Sequence, residues 1–240
     1  MTNKAGKSTR EMAEERQKKS RSYLLIGFGI AICLFLISLN PKAMGTLGGG
    51  GVLLLLIASR VIPDIVIGKS NKKIKEAKRA DRGAVAEEKI GAMLENLGED
   101  FLPIHDVVSQ FGNIDHVLIG KECGMILIET KAHGGKIRID NGVLLVNGKL
   151  PEKDFIKQTL NNTYWLRDRI EKELGIKPWI HSVIVFTNAF VSAPQPIKGI
   201  SVINKKFLTK FIEQNKKPVL TNEMIWEKRE EIVDLLTPKI

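Results

Sequence analysis

Two long stretches near the start of the chain are almost purely apolar. They cover residues 23–39 and 47–68, and each is close to the roughly 20 residues that a helix needs to cross a bilayer. The connection at residues 40–46 is short and rich in turn-forming residues. A secretory signal peptide is excluded because a second apolar run follows at once and no small-residue cleavage site separates the two. The pattern therefore predicts a transmembrane helical hairpin over residues 23–68.

The hydrophobic pattern changes after a charged linker at residues 69–82. Residues 83–240 alternate between helix-period segments and short apolar runs of strand length, which is typical of one α/β domain. An Asn141-Gly142 pair predicts a tight hairpin turn within a meander at residues 134–147. The other predicted elements are a helix at 84–97, strands at 101–109, 113–120, 124–131 and 180–187, and helices at 152–174, 205–215 and 222–236.

Two of these strands carry the most informative polar residues of the chain. If residues 121–123 form a three-residue loop, Gly120 pairs with Gly124 and Asp115 falls opposite Glu129. Two carboxylates that close repel each other unless a positive group lies between them, and a divalent metal ion is the obvious candidate. Lys131 lies two residues further along the same face. A register slip of one residue would instead place the two carboxylates on opposite faces.

A simpler interpretation makes these residues ordinary surface charges on an edge hairpin. The flanking positions argue against it, because both strands are apolar on both faces, as expected for central, buried strands. Charges at the end of a buried hairpin need a specific role. The four histidines form no metal-binding spacing, and His116 is predicted to face away from Asp115.

The basic charge of the protein belongs to its N-terminal third. The net charge is +10, but residues 1–82 contain 16 Lys and Arg against 6 Asp and Glu, whereas residues 83–240 contain 21 of each. Basic clusters flank both apolar runs on their outer sides, which predicts that both termini are cytoplasmic and that anionic lipid attracts the juxtamembrane segments. The high pI is therefore weak evidence for nucleic-acid binding by the domain itself.

Four separate motifs resemble one known family. They are Gly83–Glu87, Asn113–Val117, Ile128–Lys131 and, in a predicted helix, Gln158. Their order and spacing resemble the nuclease-related domain, NERD, which is placed in the PD-(D/E)xK, restriction-endonuclease-like superfamily. The resemblance covers residues 83–211, and it implies a mixed central sheet flanked by helices, here preceded by the two-helix transmembrane hairpin.

The resemblance also implies roles for individual residues. Asp115, Glu129 and Glu87 would hold Mg²⁺ or Mn²⁺, and Lys131 would position the attacking water, with Gln158 completing the catalytic set. The implied protein is an inner-membrane, metal-dependent endonuclease or exonuclease that cuts nucleic acid, with DNA as the expected substrate. The alternative is an inactive or weakly active membrane-bound module that binds nucleic acid or acts as a scaffold. The sequence leaves the oligomeric state open.

Overall fold

The structure is a computed structural model, and it describes residues 3–192, 195–216 and 219–237. The chain divides into two compact units. One unit is Thr9–Asp81, and the other combines the residues up to Ser8 with those from Arg82 onward. The predicted boundary between linker and domain, at residue 83, lies close to this division. The inclusion of the N-terminal residues in the second unit was not expected from the sequence.

The first unit consists of long helical segments. Helix α1 spans Lys7–Ser38, and α2 spans Pro41–Glu95 with a kink at Gly48, where φ is +58°. The predicted linker at residues 69–82 is continuous α2. Arg10 pairs with Asp81 at 3.2 Å and Ser20 Oγ lies 2.8 Å from Ser70 Oγ, so the two segments run antiparallel within this unit. Both helices contain windows long and apolar enough to cross a membrane, with mean hydropathies of 1.9 and 2.0.

The second unit is built on a six-stranded mixed sheet. Its order is β1-β2-β3-β5-β6, and β4 pairs with the far end of β3. The chain from β1 to β4 forms antiparallel pairs, whereas β3, β5 and β6 are parallel. The strands are β1 Phe101–Ser109, β2 Gly112–Gly120, β3 Gly124–Asp140, β4 Val143–Val146, β5 Ile180–Val191 and β6 Ile200–Asn204.

Helices cover both faces of this sheet. The C-terminal part of α2 and helix α4 pack on one face, where Ile90 and Leu208 belong to the same buried cluster as Ile126 of β3. The other face is covered by α3, α5 and α6, which bury the opposite side chains of the same strands. These helices are α3 Phe155–Leu174, α4 Leu208–Gln214, α5 Leu220–Glu227 and α6 Arg229–Leu236. The predicted class, a mixed α/β sheet flanked by helices and preceded by two long apolar helices, is confirmed.

Local sequence explains several element boundaries. Asn141 and Gly142 both have positive φ, at 48° and 76°, and they join β3 to β4 as the Asn-Gly pair predicts. Asp154 caps α3 by accepting a hydrogen bond from the backbone N–H of Lys157 at 2.9 Å. Gly175 ends the same helix in the left-handed conformation.

Three features differ from the sequence prediction. Strand β6 was not predicted, because its five residues form only a short apolar run after a turn-rich segment. Helix α4 is preceded by a single 3₁₀ turn, Lys205–Phe207, within the segment predicted to be one helix. The helix predicted over residues 222–236 divides at Lys228 into α5 and α6.

Candidate active site

The candidate site depends on the register of the β2–β3 hairpin, and the structure confirms that register. The strands pair antiparallel with Gly120 opposite Gly124, so the loop has three residues. The pairs continue without a slip toward the open end of the hairpin. Extending the count by one position beyond the last pair places Asp115 opposite Glu129.

The hairpin residues of the predicted site lie close together. Glu129 is two residues from Leu127, which is buried in a cluster under α3, and alternate residues of a strand share a face. Glu129 and Lys131 therefore face the side of the sheet that α3 covers. Asp115 Oδ2 accepts a hydrogen bond from the backbone N–H of Thr130, which lies between these two residues in the chain.

Lys131 is held between a carboxylate and an aromatic ring. Its Nζ donates a hydrogen bond to Glu129 Oε1 at 2.5 Å, and it lies 4.6 Å from the centre of the Phe155 ring at the start of α3. Burial alone lowers the pKa of Lys131, but the carboxylates of Glu129, Asp115 and Glu87 outweigh this effect and raise that pKa. Lys131 is therefore a charged ammonium group at neutral pH.

The surroundings of Asp115, unlike those of Lys131, disfavour the charged form of the side chain. Burial raises its pKa well above the ordinary value, and the neighbouring charges of Glu129 and Glu87 raise it further. Lys131 and a hydrogen bond of 2.6 Å from the backbone N–H of Thr130 oppose these effects without cancelling them. In the absence of a bound cation, this carboxylate is thus held in an environment that disfavours its charge.

The two helical residues of the predicted site occupy different positions. Glu87 is 9% exposed on α2, and its charge acts on both Asp115 and Lys131, so it belongs to the same electrostatic cluster. Gln158 is partly exposed on α3, three residues after Phe155. Residues three apart lie on neighbouring positions of a helix surface, which puts Gln158 on the side of α3 where Phe155 meets Lys131.

The donor chemistry of this cluster fits a hard divalent cation. Glu129 is 1% exposed, and its Oε2 is buried with no hydrogen-bond partner in the described part of the chain. Carboxylate oxygens are the usual protein ligands of Mg²⁺ and Mn²⁺. No group of three or more Asp, Glu, His or Cys residues is arranged to hold a metal ion among the described residues. These carboxylates are thus of the right chemical type to bind such an ion, and Glu129 Oε1 is already bonded to Lys131.

Comparison with known families gives a match in the region that carries these residues. Residues 82–187 match the model of the nuclease-related domain, NERD. The NERD match includes all five residues of the predicted site, from Glu87 to Gln158, and ends within β5. It leaves out the apolar helices and everything from β6 onward. No curated protein and no solved structure gives a significant match to this chain.

Phe155 was missed as a site residue in the sequence. An Asp at a helix N-cap followed at once by an aromatic residue marks where α3 begins, and the start of that helix lies over the predicted Glu-x-Lys strand. The exposed ring of His133 also contacts Phe155, with centroids 5.2 Å apart. These contacts depend on how α3 packs, which the spacing of the motifs does not specify.

A buried histidine pair lies on the opposite face of the hairpin. His105 and His116 are opposed on β1 and β2, and their Nδ1 atoms are 2.9 Å apart, so one imidazole donates a hydrogen bond to the other. Burial lowers the pKa of both residues, and that of His116 is lowered further by His105. As predicted, His116 faces away from Asp115. The pair thus holds neutral imidazoles in the core rather than in the candidate site.

Proposed function

We propose that this protein is a membrane-anchored, metal-dependent nuclease that hydrolyses phosphodiester bonds. The main support is the proximity of Asp115, Glu129 and Lys131, which hydrogen bonds to Thr130 and between Lys131 and Glu129 bring together inside a region that matches the nuclease-related domain. A cluster that concentrates carboxylates around a buried lysine is poorly suited to a purely structural role, because it raises the pKa of Asp115.

Each residue has a role that its environment supports. Asp115 and Glu129, with Glu87, would hold Mg²⁺ or Mn²⁺, and a bound ion supplies electrophilic polarisation of the scissile phosphate. Lys131 remains protonated, so it serves as a fixed positive charge that binds a phosphate oxygen and offsets developing charge. Phe155 restrains the lysine from one side. Gln158 can orient a water molecule or phosphate oxygen through its amide.

Cleavage by the full-length protein in detergent tests this proposal directly. Single- and double-stranded DNA and RNA, each linear and circular, are incubated with Mg²⁺, with Mn²⁺ or with EDTA. We expect metal-dependent cleavage that Asp115→Asn and Glu129→Gln each reduce by at least a hundredfold. Asp140→Asn, which changes an exposed carboxylate at the far end of β3, is the matched control and should cleave as wild type does.

A second candidate is a module that keeps the fold but turns over slowly or not at all. The pairing of Glu129 with Lys131 and the balanced charge of residues 83–240 favour it. This alternative predicts nucleic-acid binding, by fluorescence anisotropy, without cleavage under any metal. Cleavage that survives in both carboxylate variants would show that these residues are not catalytic.

The apolar helices support an inner-membrane location with both termini in the cytoplasm. The basic clusters outside both apolar runs favour that orientation and would bind anionic lipid. Reporter fusions at residue 44 and at the C-terminus test the topology. A cytoplasmic signal at residue 44, or release of the protein by alkaline carbonate, would contradict it.

A further inference from the structure

The N-terminal residues of the second unit pack directly against its helix α2 and its sheet. The segment 3–8, which we call the N-terminal strap, lies against both α2 and β1. Gly6 has a φ of +73°, and a Cβ there would lie 2.9 Å from the carbonyl oxygen of Ala84. A Cβ at Gly91 would overlap the side chain of Ala5. The strap therefore touches α2 at two points through close approaches that glycine permits.

These two contact points lie on either side of a candidate metal ligand along α2. Glu87 lies between Ala84 and Gly91 on α2, the helix segment against which the strap packs. At neither contact is there room for a larger side chain without movement of the strap or of the helix. The strap thus restrains the part of α2 that carries Glu87.

The other end of the strap is anchored on Asp106. The Oδ2 atom of this residue accepts hydrogen bonds from the backbone N–H of Ser8 at 2.9 Å and from its hydroxyl at 2.5 Å. The backbone carbonyl of Asp106 accepts a third bond, of 3.3 Å, from the side chain of Asn3. Asp106 is 5% exposed, so these bonds satisfy a carboxylate that has little access to water.

Asp106 also contacts the strand that carries Asp115. Its Oδ1 accepts a hydrogen bond of 2.8 Å from the side chain of Asn113, two residues before Asp115 on β2. The register between β1 and β2 places Asp106 itself opposite Asp115. Asp106 has a φ of +55°, an unusual conformation inside a strand that costs energy unless surrounding contacts hold it.

We propose that the N-terminal strap is part of the catalytic scaffold, and that Asp106 is a positioning residue that joins it to Asp115. The strap holds α2, with Glu87, and β2, with Asp115, in one arrangement. This inference rests on the proposed function for its catalytic consequence, but its structural part is independent of activity. It also assigns a role to the strap residues 3–8, which lie outside the NERD match.

Three substitutions in the full-length protein separate backbone strain from hydrogen bonding. Asp106→Gly permits the positive φ but removes both carboxylate oxygens, whereas Asp106→Asn tolerates that φ and keeps an acceptor. Ser8→Ala removes one donor and leaves the backbone N–H in place. Ser22→Ala is the matched control, because the Ser22 hydroxyl donates to the carbonyl oxygen of Lys18 on the same helix.

Hydrogen–deuterium exchange of the metal-free protein gives the decisive measurement. We expect exchange in residues 112–118 and 84–91 to become at least fivefold faster in Asp106→Gly and Ser8→Ala. Exchange rates in the Asp106→Asn protein should lie nearer to those of wild type, and rates in the Ser22→Ala protein should equal those of wild type. If exchange in both segments stays at the wild-type rate in Asp106→Gly and Ser8→Ala, the strap does not hold the site and the inference fails.

The kinetic consequence separates this inference from the proposed function. If wild type cleaves nucleic acid, Asp106→Gly should lower kcat with little change in KM, and Asp106→Asn should restore most of the loss. Equal kcat values for wild type and Asp106→Gly would overturn the positioning role. If wild type cleaves nothing, the proposed function fails, and the exchange rates alone decide whether the strap holds Glu87 and Asp115 together.

Discussion

Replacing Asp115 with asparagine should stabilise the metal-free protein at neutral and higher pH. Folding raises the pKa of Asp115, so the folded protein keeps a proton that the unfolded chain releases above a pKa of about 3.9. Stability therefore falls as the pH rises from about 4 through the folded-state pKa, and it is lowest above that value. Asparagine carries no charge, and it removes this penalty.

The magnitude follows from two opposing effects. Each unit by which folding raises a carboxyl pKa corresponds to about 1.4 kcal/mol of stability lost at high pH. Against this, Asp115→Asn replaces a charge-assisted hydrogen bond from the Thr130 N–H with a neutral one, which costs about 1 kcal/mol. Because the pKa of Asp115 lies well above its ordinary value, the first effect is larger. Each kcal/mol gained should raise the Tm by about 2–4 °C for a domain of this size.

Tryptophan fluorescence during thermal unfolding in detergent with EDTA measures this change. All three tryptophans, Trp165, Trp179 and Trp226, lie in the second unit, which contains the sheet. The apolar helices therefore do not contribute to the fluorescence signal. Asp140→Asn controls for loss of a carboxylate in general. The reasoning is refuted if Asp115→Asn melts at or below the wild-type Tm at pH 8, or if its advantage does not shrink as the pH is lowered to about 4.

Three further predictions use the same assay. Lys131→Met should lower the metal-free Tm, because it leaves the buried Glu129 without its cation, a loss of about 3 kcal/mol; an unchanged Tm would contradict the buried pair. Phe155→Leu should cost about 1–2 kcal/mol through the lost ring volume and the lost contact with Lys131, and it should make the Lys131→Met change less costly; additive losses would show that the contact is unimportant. His116→Leu should gain Tm relative to wild type on going from pH 7 to pH 5, because unfolding lets the buried imidazoles bind protons; a pH-independent difference would mean that the pair titrates normally.

The hairpin was predictable because its short loop fixes its register. Both strands are apolar and buried on both faces, which marks them as central strands. A three-residue loop between two glycines then placed Asp115 across from Glu129 by simple counting. The positions of Glu87 and Gln158 came from the family resemblance, because their distance from the hairpin depends on helix packing that periodicity does not describe.

The strap and Asp106 could not have been predicted in the same way. Asp106 lies in the middle of a run whose pattern indicates a regular strand, and its positive φ is held by Asn113 together with Ser8, about 100 residues earlier in the chain. The sequence before the first apolar run shows mainly its basic charge, which predicts an orientation in the membrane rather than a contact with the domain. Long-range hydrogen bonds of this kind leave no local signal.

The electrostatics of the cluster connect stability with function. If the carboxylates served the fold alone, replacing Asp115 and replacing Lys131 would both weaken the domain, because each change removes one partner of a buried ion pair. The structure predicts opposite signs instead: the Asp115 carboxylate destabilises the metal-free protein, whereas Lys131 stabilises the buried Glu129. The cluster contains more negative charge than Lys131 balances, so it is less stable than it could be. It therefore has a net demand for a further positive charge. Opposite signs for Asp115→Asn and Lys131→Met would establish that demand without any nuclease assay, and matching signs would remove the main physical argument for a cation site.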